Sequence, residues 1–183
     1  MPRCFKSKIK CMAGTRLVLA STSIYRRELL ARLQVPFEVA APDVDETPHA
    51  GETPAATAER LAEAKARAVD KKFPAALIIG SDQVACNANV RFGKPGSREK
   101  AIAQLRAMSG RVIVFHTGLC LLNTASGNLQ RRGIAVEVAF RELGDTEIER
   151  YLDKEDALNC AGGAKVEGLG VALTRYSRGD DPS

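Results

Sequence analysis

Short apolar runs alternate with helix-patterned stretches through the first half of this chain, and that order constrains the fold more than any other feature of the sequence. Residues 16–20 (RLVLA) and 75–80 (AALIIG) have the length and apolar continuity of buried strands. Between them, Ser21-Thr22-Ser23 offers N-cap hydroxyls, and Leu29, Leu30 and Leu33 recur at helical spacing over residues 24–34. Val35-Pro36 stops that helix, and residues 37–41 read as a second strand. Residues 42–53 are acidic and Pro-containing, hence a loop. Pro54 then opens a long Ala-rich helix to about residue 72, with Thr53 as its cap.

The second half reads differently. Residues 81–95 look irregular, with a hairpin edge near Val90-Arg91-Phe92. A helix over 97–108 closes at Ser109-Gly110. Strands are expected over 111–122, over 129–140 with a bend at Gly133, and over 169–175. Asp145 is placed to cap a helix through Asp153, and residues 159–163 read as a loop or a helix start. Helices alternating with strands, followed by clustered strands, predict an α/β protein with a mixed sheet.

Charge narrows the partners. The 183 residues hold 27 Lys and Arg against 22 Asp and Glu, a formal net charge of +5. Five of the basic groups lie in residues 1–16, which contain no acid, so the other 167 residues balance to zero. A neutral body lacks the clustered basic surface that a nucleic-acid backbone requires. No apolar run approaches the roughly 20 residues needed to span a bilayer. Residues 1–15 read as a basic leader that is disordered or non-native: Met12, followed by Ala-Gly-Thr and then the first strand, offers a second translation start. Residues 16–183 read as the working domain. Cys4, Cys11, Cys86, Cys120 and Cys160 are odd in number and show no C-x-x-C spacing, which points to a reduced, cytoplasmic compartment. Cys120 and Cys160 read as small core residues. With no Trp and 5% aromatics, the core is expected to be aliphatic.

Several residues are candidates for chemistry. Hydroxyls and Arg26 at the start of the first helix suit an anion, since a helix N-terminus carries free N–H groups and partial positive charge. Equally, Ser23 caps the helix while Arg26 and Arg27 face water. Asp43, Asp45 and Glu46 suit a hard cation or form a solvated acidic turn. Asp82, just past an apolar strand, suits metal binding or water activation, or it shapes a turn. Lys65 and Lys94 taken singly read as solvated lysines. His49 and His116 stand far apart with no nucleophile beside them, which disfavours a Ser-His or Cys-His hydrolase.

Together these segments resemble the Maf family of nucleoside triphosphate pyrophosphatases. The resemblance runs in order through Leu19-Ala20-Ser21-x-Ser23-x-x-Arg26-Arg27-x-Leu29-Leu30, Val44-Asp45-Glu46, Leu61-Ala62-x-x-Lys65-Ala66, Gly80-Ser81-Asp82, Gly93-Lys94-Pro95, Thr117-Gly118 and Ala161-Gly162-x-x-x-x-Glu167-Gly168. It covers residues 17–183. Each piece is weak alone, and the ordered set is specific. The chain departs from the family pattern at Ile24, where Pro is usual, and it ends at Ser183 before the family's final helix.

The resemblance implies a twisted mixed sheet flanked by helices, with two lobes and the active-site cleft between them, as in inosine triphosphatases. It implies a nucleoside triphosphate substrate, a divalent cation (Mg²⁺ or Mn²⁺) and a homodimer. By it, Ser21, Arg26, Lys65 and Lys94 bind phosphates, Glu46 and Asp82 hold the metal, and Asp82 is also the general base. Tyr25, Gln83 and Glu167 are implied to read the base, and that combination resembles the subgroup that hydrolyses 7-methyl-GTP. A cationic 7-methylguanine ring suits the face of Tyr25. A Glu167 carboxylate can accept from the N1 and N2 edge, and Gln83 can donate to O6. The alternatives are a UTP/dTTP pyrophosphatase of the same family and a non-catalytic nucleotide-binding regulator of cell division.

Overall fold

The first strand, β1 (Arg16–Ala20), is exposed only at Arg16 and pairs in parallel with both β2 (Glu38–Ala40) and β3 (Ala76–Asn87). These pairings come from a computed structural model that describes residues 15–88 and 90–179. The basic leader expected over residues 1–15 lies outside the described residues except for Thr15. The strand order is β2-β1-β3-β5-β6-β7, with β4 (Val90–Phe92) paired to β3; β5 is Val112–Asn123, β6 Leu129–Phe140 and β7 Thr174–Gly179. β3–β4 and β6–β7 are antiparallel, so the seven-stranded sheet is mixed, as the alternation predicts. Four α-helices accompany it among the described residues: α1 (Ile24–Ala31), α2 (Pro54–Arg67), α3 (Arg98–Met108) and α4 (Asp145–Lys154).

The chain divides into two compact units. The first comprises residues up to Thr47, Arg60–Ser81 and Leu119–Arg132; the second comprises Pro48–Glu59, Asp82–Gly118 and Gly133 onward. Each has its own core. In the first, Val18, Ala20 and Ile78 pack with Ala62, Ala66 and Val69 of the α2 region and with Cys120 and Leu122. In the second, Leu105, Met108, Ile113, Val138, Ile148 and Leu173 surround Phe92, Phe115, Phe140 and Tyr151. The expectation of an aliphatic core is met by the buried residues of the first unit, against which a half-buried Phe73 packs; the buried aromatics lie in the second. Cys86 and Cys120 are buried and burial pushes both thiols up, whereas Cys160 is only half-buried rather than a core residue.

Five sequence expectations are corrected. α2 ends at Arg67 and not near residue 72, and Asp70–Lys72 form a separate 3-10 turn. β3 does not end at Gly80: it continues to Asn87, because β4 pairs with residues 85–87. α1 stops three residues early. The N–H groups of Arg32, Leu33 and Gln34 bond three residues back, and Gln34 takes φ +55°. Asp145 is not the cap of α4. Gly144 stands at the cap, and the Asp145 carboxylate pairs with Arg106 at 2.7 Å. Residues 169–173 form a tight 3-10 turn instead of strand. The Leu169 N–H donates to the Glu155 carboxylate and the Gly170 N–H to the Lys165 carbonyl, so β7 begins only at Thr174.

Candidate functional site

The nine residues singled out from the sequence divide between the units: Ser21, Tyr25, Arg26, Glu46 and Lys65 in the first, Asp82, Gln83, Lys94 and Glu167 in the second. In the first unit, β1 delivers the chain to Ser21, whose residue is buried and whose Oγ accepts the Ser23 N–H at 3.0 Å. The Ser23 Oγ accepts the Arg26 N–H at 3.4 Å and so caps α1. The two hydroxyls shape the strand-to-helix turn, and Tyr25 and Arg26 follow half-buried in the first turn of α1.

Lys65 is the clearest departure from a bland reading. Ala58, Leu61, Ala62, Lys65, Ala66 and Val69 are all buried and follow the 3-4 spacing of one helix face, so this lysine stands in the apolar stripe of α2. Its side chain is 7% exposed, and its Nζ lies 2.6 Å from a Glu46 oxygen. A buried ammonium is tolerated only when paired, since desolvation otherwise drives it neutral. The apolar stripe around Lys65 was a signal in the sequence; treating the lysine singly missed it. Glu46 itself is half-exposed and lies in a braced loop. The Asp45 carboxylate accepts the Thr47 N–H at 2.9 Å, and Arg60 of α2 donates to the Thr47 carbonyl at 3.1 Å.

In the second unit, Asp82 lies within β3 rather than beyond it and is 7% exposed. The β1 register along β3 ends at Gly80 and the β4 register begins at Ala85. Asp82 and Gln83 occupy the intervening stretch, and as adjacent strand residues they face opposite sides of the sheet. Gln83 is exposed, and its Nε2 donates to Thr117 Oγ1 of β5 at 3.0 Å. Lys94 is exposed in the turn after β4. That turn is tied down by main-chain bonds from the Gly162 N–H to the Gly93 carbonyl and from the Gly96 N–H to the Leu158 carbonyl, each 3.0 Å. Gly162 adopts φ +72°, which only glycine takes without strain, so the Ala161-Gly162 motif serves the Lys94 turn. Glu167 is exposed on a segment held to α4: Tyr151 Oη accepts the Lys165 N–H at 2.9 Å, and Glu155 accepts from Lys165 Nζ at 3.2 Å.

Sequence reasoning missed two polar residues here. Thr117 was noted only as part of a motif, and Arg91 only as a hairpin edge. Arg91 donates to Thr57 Oγ1 at 3.0 Å and to the Glu52 carbonyl at 2.5 Å, and the buried Thr57 hydroxyl donates to the Glu52 carboxylate at 2.9 Å. This network anchors the loop before α2.

The family profile described as Maf-like protein matches residues 16–183. The chain belongs to the Maf family. Among its Maf relatives, a 7-methyl-GTP pyrophosphatase of Polaromonas sp. is 58% identical over 91% of this chain and 76% of its own length. One of Methylobacillus flagellatus is 52% identical over 91% of this chain and 87% of its own, and one of Aromatoleum aromaticum is 53% identical over 94% and 89%. For a Maf chain the donor chemistry also bears on a cation. Among the described residues no three His, Cys, Asp or Glu side chains gather into a metal cage. Glu46 and Asp82 are hard carboxylate donors, and Mg²⁺ characteristically takes one or two carboxylates and completes its shell with water and phosphate oxygens. Taken singly, each carboxylate is a donor of the kind that such a cation takes. Among the described residues no helix is long and apolar enough to cross a membrane.

Proposed function

We propose that this protein is a cytoplasmic, metal-dependent pyrophosphatase that converts 7-methyl-GTP to 7-methyl-GMP and pyrophosphate, acts as a homodimer and clears modified nucleotides. The observation that carries this reading is the identity of 58% with a protein named for that reaction, extending over nine-tenths of this chain. The chemistry of the residues agrees with it. Lys65 and Asp82 are charged groups that the fold keeps almost out of water, an arrangement that costs stability and suits a reacting polyanion better than it suits a core.

In this reading water attacks the α-phosphorus and the α–β anhydride bond breaks. Asp82 orients that water and takes its proton. Arg26, Lys65 and Lys94 carry the charge that builds on the phosphate oxygens and the departing pyrophosphate, and Ser21 and the start of α1 add to it. A divalent cation, held by Glu46 and Asp82, supplies further charge neutralisation when bound. Tyr25 stacks on the cationic ring, Glu167 accepts from its N1 and N2 hydrogens, and Gln83 donates to O6. Uracil lacks two adjacent donors for Glu167 and is rejected.

The test is a panel of 7-methyl-GTP, GTP, UTP and dTTP with Mg²⁺ or Mn²⁺, scored by pyrophosphate release. Fastest turnover of 7-methyl-GTP is expected. Faster hydrolysis of UTP overturns the base assignment, and release from none of the four overturns the enzyme reading. Sedimentation velocity checks the dimer.

A further inference from the structure

Gln83 is a long side chain at an exposed strand position, where a free glutamine samples many rotamers and loses that freedom on binding a ligand. Here it does not stand alone, because its Nε2 donates to Thr117 Oγ1 at 3.0 Å. An amide nitrogen carries two hydrogens. The bond to Thr117 uses one and leaves the second for another acceptor. The platform beneath is stiff. Thr117 is β-branched, with few χ1 choices. Ile113 and Phe115 of the same strand are buried in the core of the second unit. The next residue, Gly118, is pressed against α2: a Cβ there would meet the Ala58 carbonyl oxygen at 2.2 Å. The strand cannot shift toward or away from that helix without steric conflict or loss of the contact.

We infer that Thr117 is a positioning residue for base recognition, its hydroxyl holding the Gln83 amide so that one amide hydrogen is presented to the base carbonyl. The inference rests on the base-reading role proposed for Gln83. It adds a residue on a different strand, and it gives Gln83 a defined donor geometry before the nucleotide arrives. Preorganisation of this kind raises affinity by removing an ordering cost that binding would otherwise incur. A bond between an exposed glutamine and a half-buried threonine contributes little to folding, so its loss is visible in substrate binding and not in stability.

The experiment compares Thr117→Val, Thr117→Ser, Gln83→Ala and the Thr117→Val/Gln83→Ala double variant in the full chain with 7-methyl-GTP. Thr117→Val keeps the shape and removes the hydroxyl. It is expected to raise KM about three- to tenfold, the usual effect of one hydrogen bond, with kcat nearly unchanged. Its Tm is expected within about 2 °C of the parent. Thr117→Ser is expected to restore KM, and the double variant to be no worse than Gln83→Ala. A KM unchanged in Thr117→Val while Gln83→Ala raises it overturns the inference alone, as does a double variant whose loss is the product of the single losses. A KM unchanged in Gln83→Ala overturns the base-reading role and the inference with it.

Discussion

Lys65 and Lys94 look alike when each is taken as a single residue, and the fold separates them. Lys94 is exposed on a turn, whereas Lys65 sits in the apolar stripe of α2 with the Glu46 carboxylate 2.6 Å away. The pair is asymmetric, with a buried cation and a half-exposed anion, so its two halves respond differently to removal. Lys65→Met deletes the charge and keeps the volume, and the carboxylate it leaves behind is already half in water. Stability should change by less than about 1 kcal/mol while triphosphate affinity falls. Glu46→Gln leaves the ammonium buried against a weaker partner and should cost roughly 1–3 kcal/mol. Urea unfolding of both variants checks this, and equal losses would sink the asymmetry. Asp82 gives a separate expectation. Asp82→Asn keeps the shape of the side chain but cannot take a proton, so pyrophosphate release should fall by about 10² or more with nucleotide binding retained. Loss of binding in parallel would mean that Asp82 holds the ligand and does not act on the water.

α2 reaches the sheet because two strands give it glycine. In the first unit, a Cβ on Gly80 of β3 would lie 2.0 Å from the Ala62 carbonyl oxygen; in the second, one on Gly118 of β5 would lie 2.2 Å from that of Ala58. Both obstacles are backbone, which cannot rotate aside. Gly80→Ala and Gly118→Ala should each cost about 3 kcal/mol, a drop in Tm of roughly 6–12 °C for a chain of this size. Gly93→Ala meets nothing within 4 Å and should leave Tm within about 2 °C. If differential scanning calorimetry finds the three variants alike, close packing is not the reason for these glycines. Elements were legible in the sequence where periodicity and chemistry agreed: β1 and α3 fall where apolar spacing and caps place them, and α2 begins where Pro54 places it. They were illegible where a distant partner decides the backbone. Nothing local in Ser81-Asp82-Gln83 announces a strand; β3 runs through it with β5 as its neighbour and β4 paired just beyond, from Ala85. Likewise the turn at residues 169–173 depends on Glu155, 14 residues upstream of the N–H it accepts.

At the scale of the whole molecule, the family was readable because many weak pieces occur in order, while the pairing of Lys65 with Glu46 and of Gln83 with Thr117 needed the fold. The net charge of +5 says little about the folded body, where acids and bases balance. Burial of ionisable groups such as the Cys86 and Cys120 thiols and the Tyr151 phenol lowers global stability at alkaline pH, and the phenol makes a contribution that can be followed by itself. Tyr151 packs in the core of the second unit and accepts the Lys165 N–H at 2.9 Å. Burial pushes its pKa up to about 12, with the hydrogen bond from Lys165 pulling the other way. An unfolded tyrosine ionises near pH 10. Below pH 10 both states keep the proton, and the contribution of Tyr151 to stability is fully present. Between about pH 10 and 12 the unfolded chain gives up the proton while the folded chain retains it, so unfolding is favoured by up to roughly 2–3 kcal/mol. Tyr151→Phe lacks the ionisable group. It should be less stable at pH 8 by about 1 kcal/mol, because the Lys165 N–H loses its acceptor. It should also lose less stability than the parent from pH 9.5 to 11.5. Urea midpoints measured across that range test this, and parallel pH profiles for the two proteins would refute it.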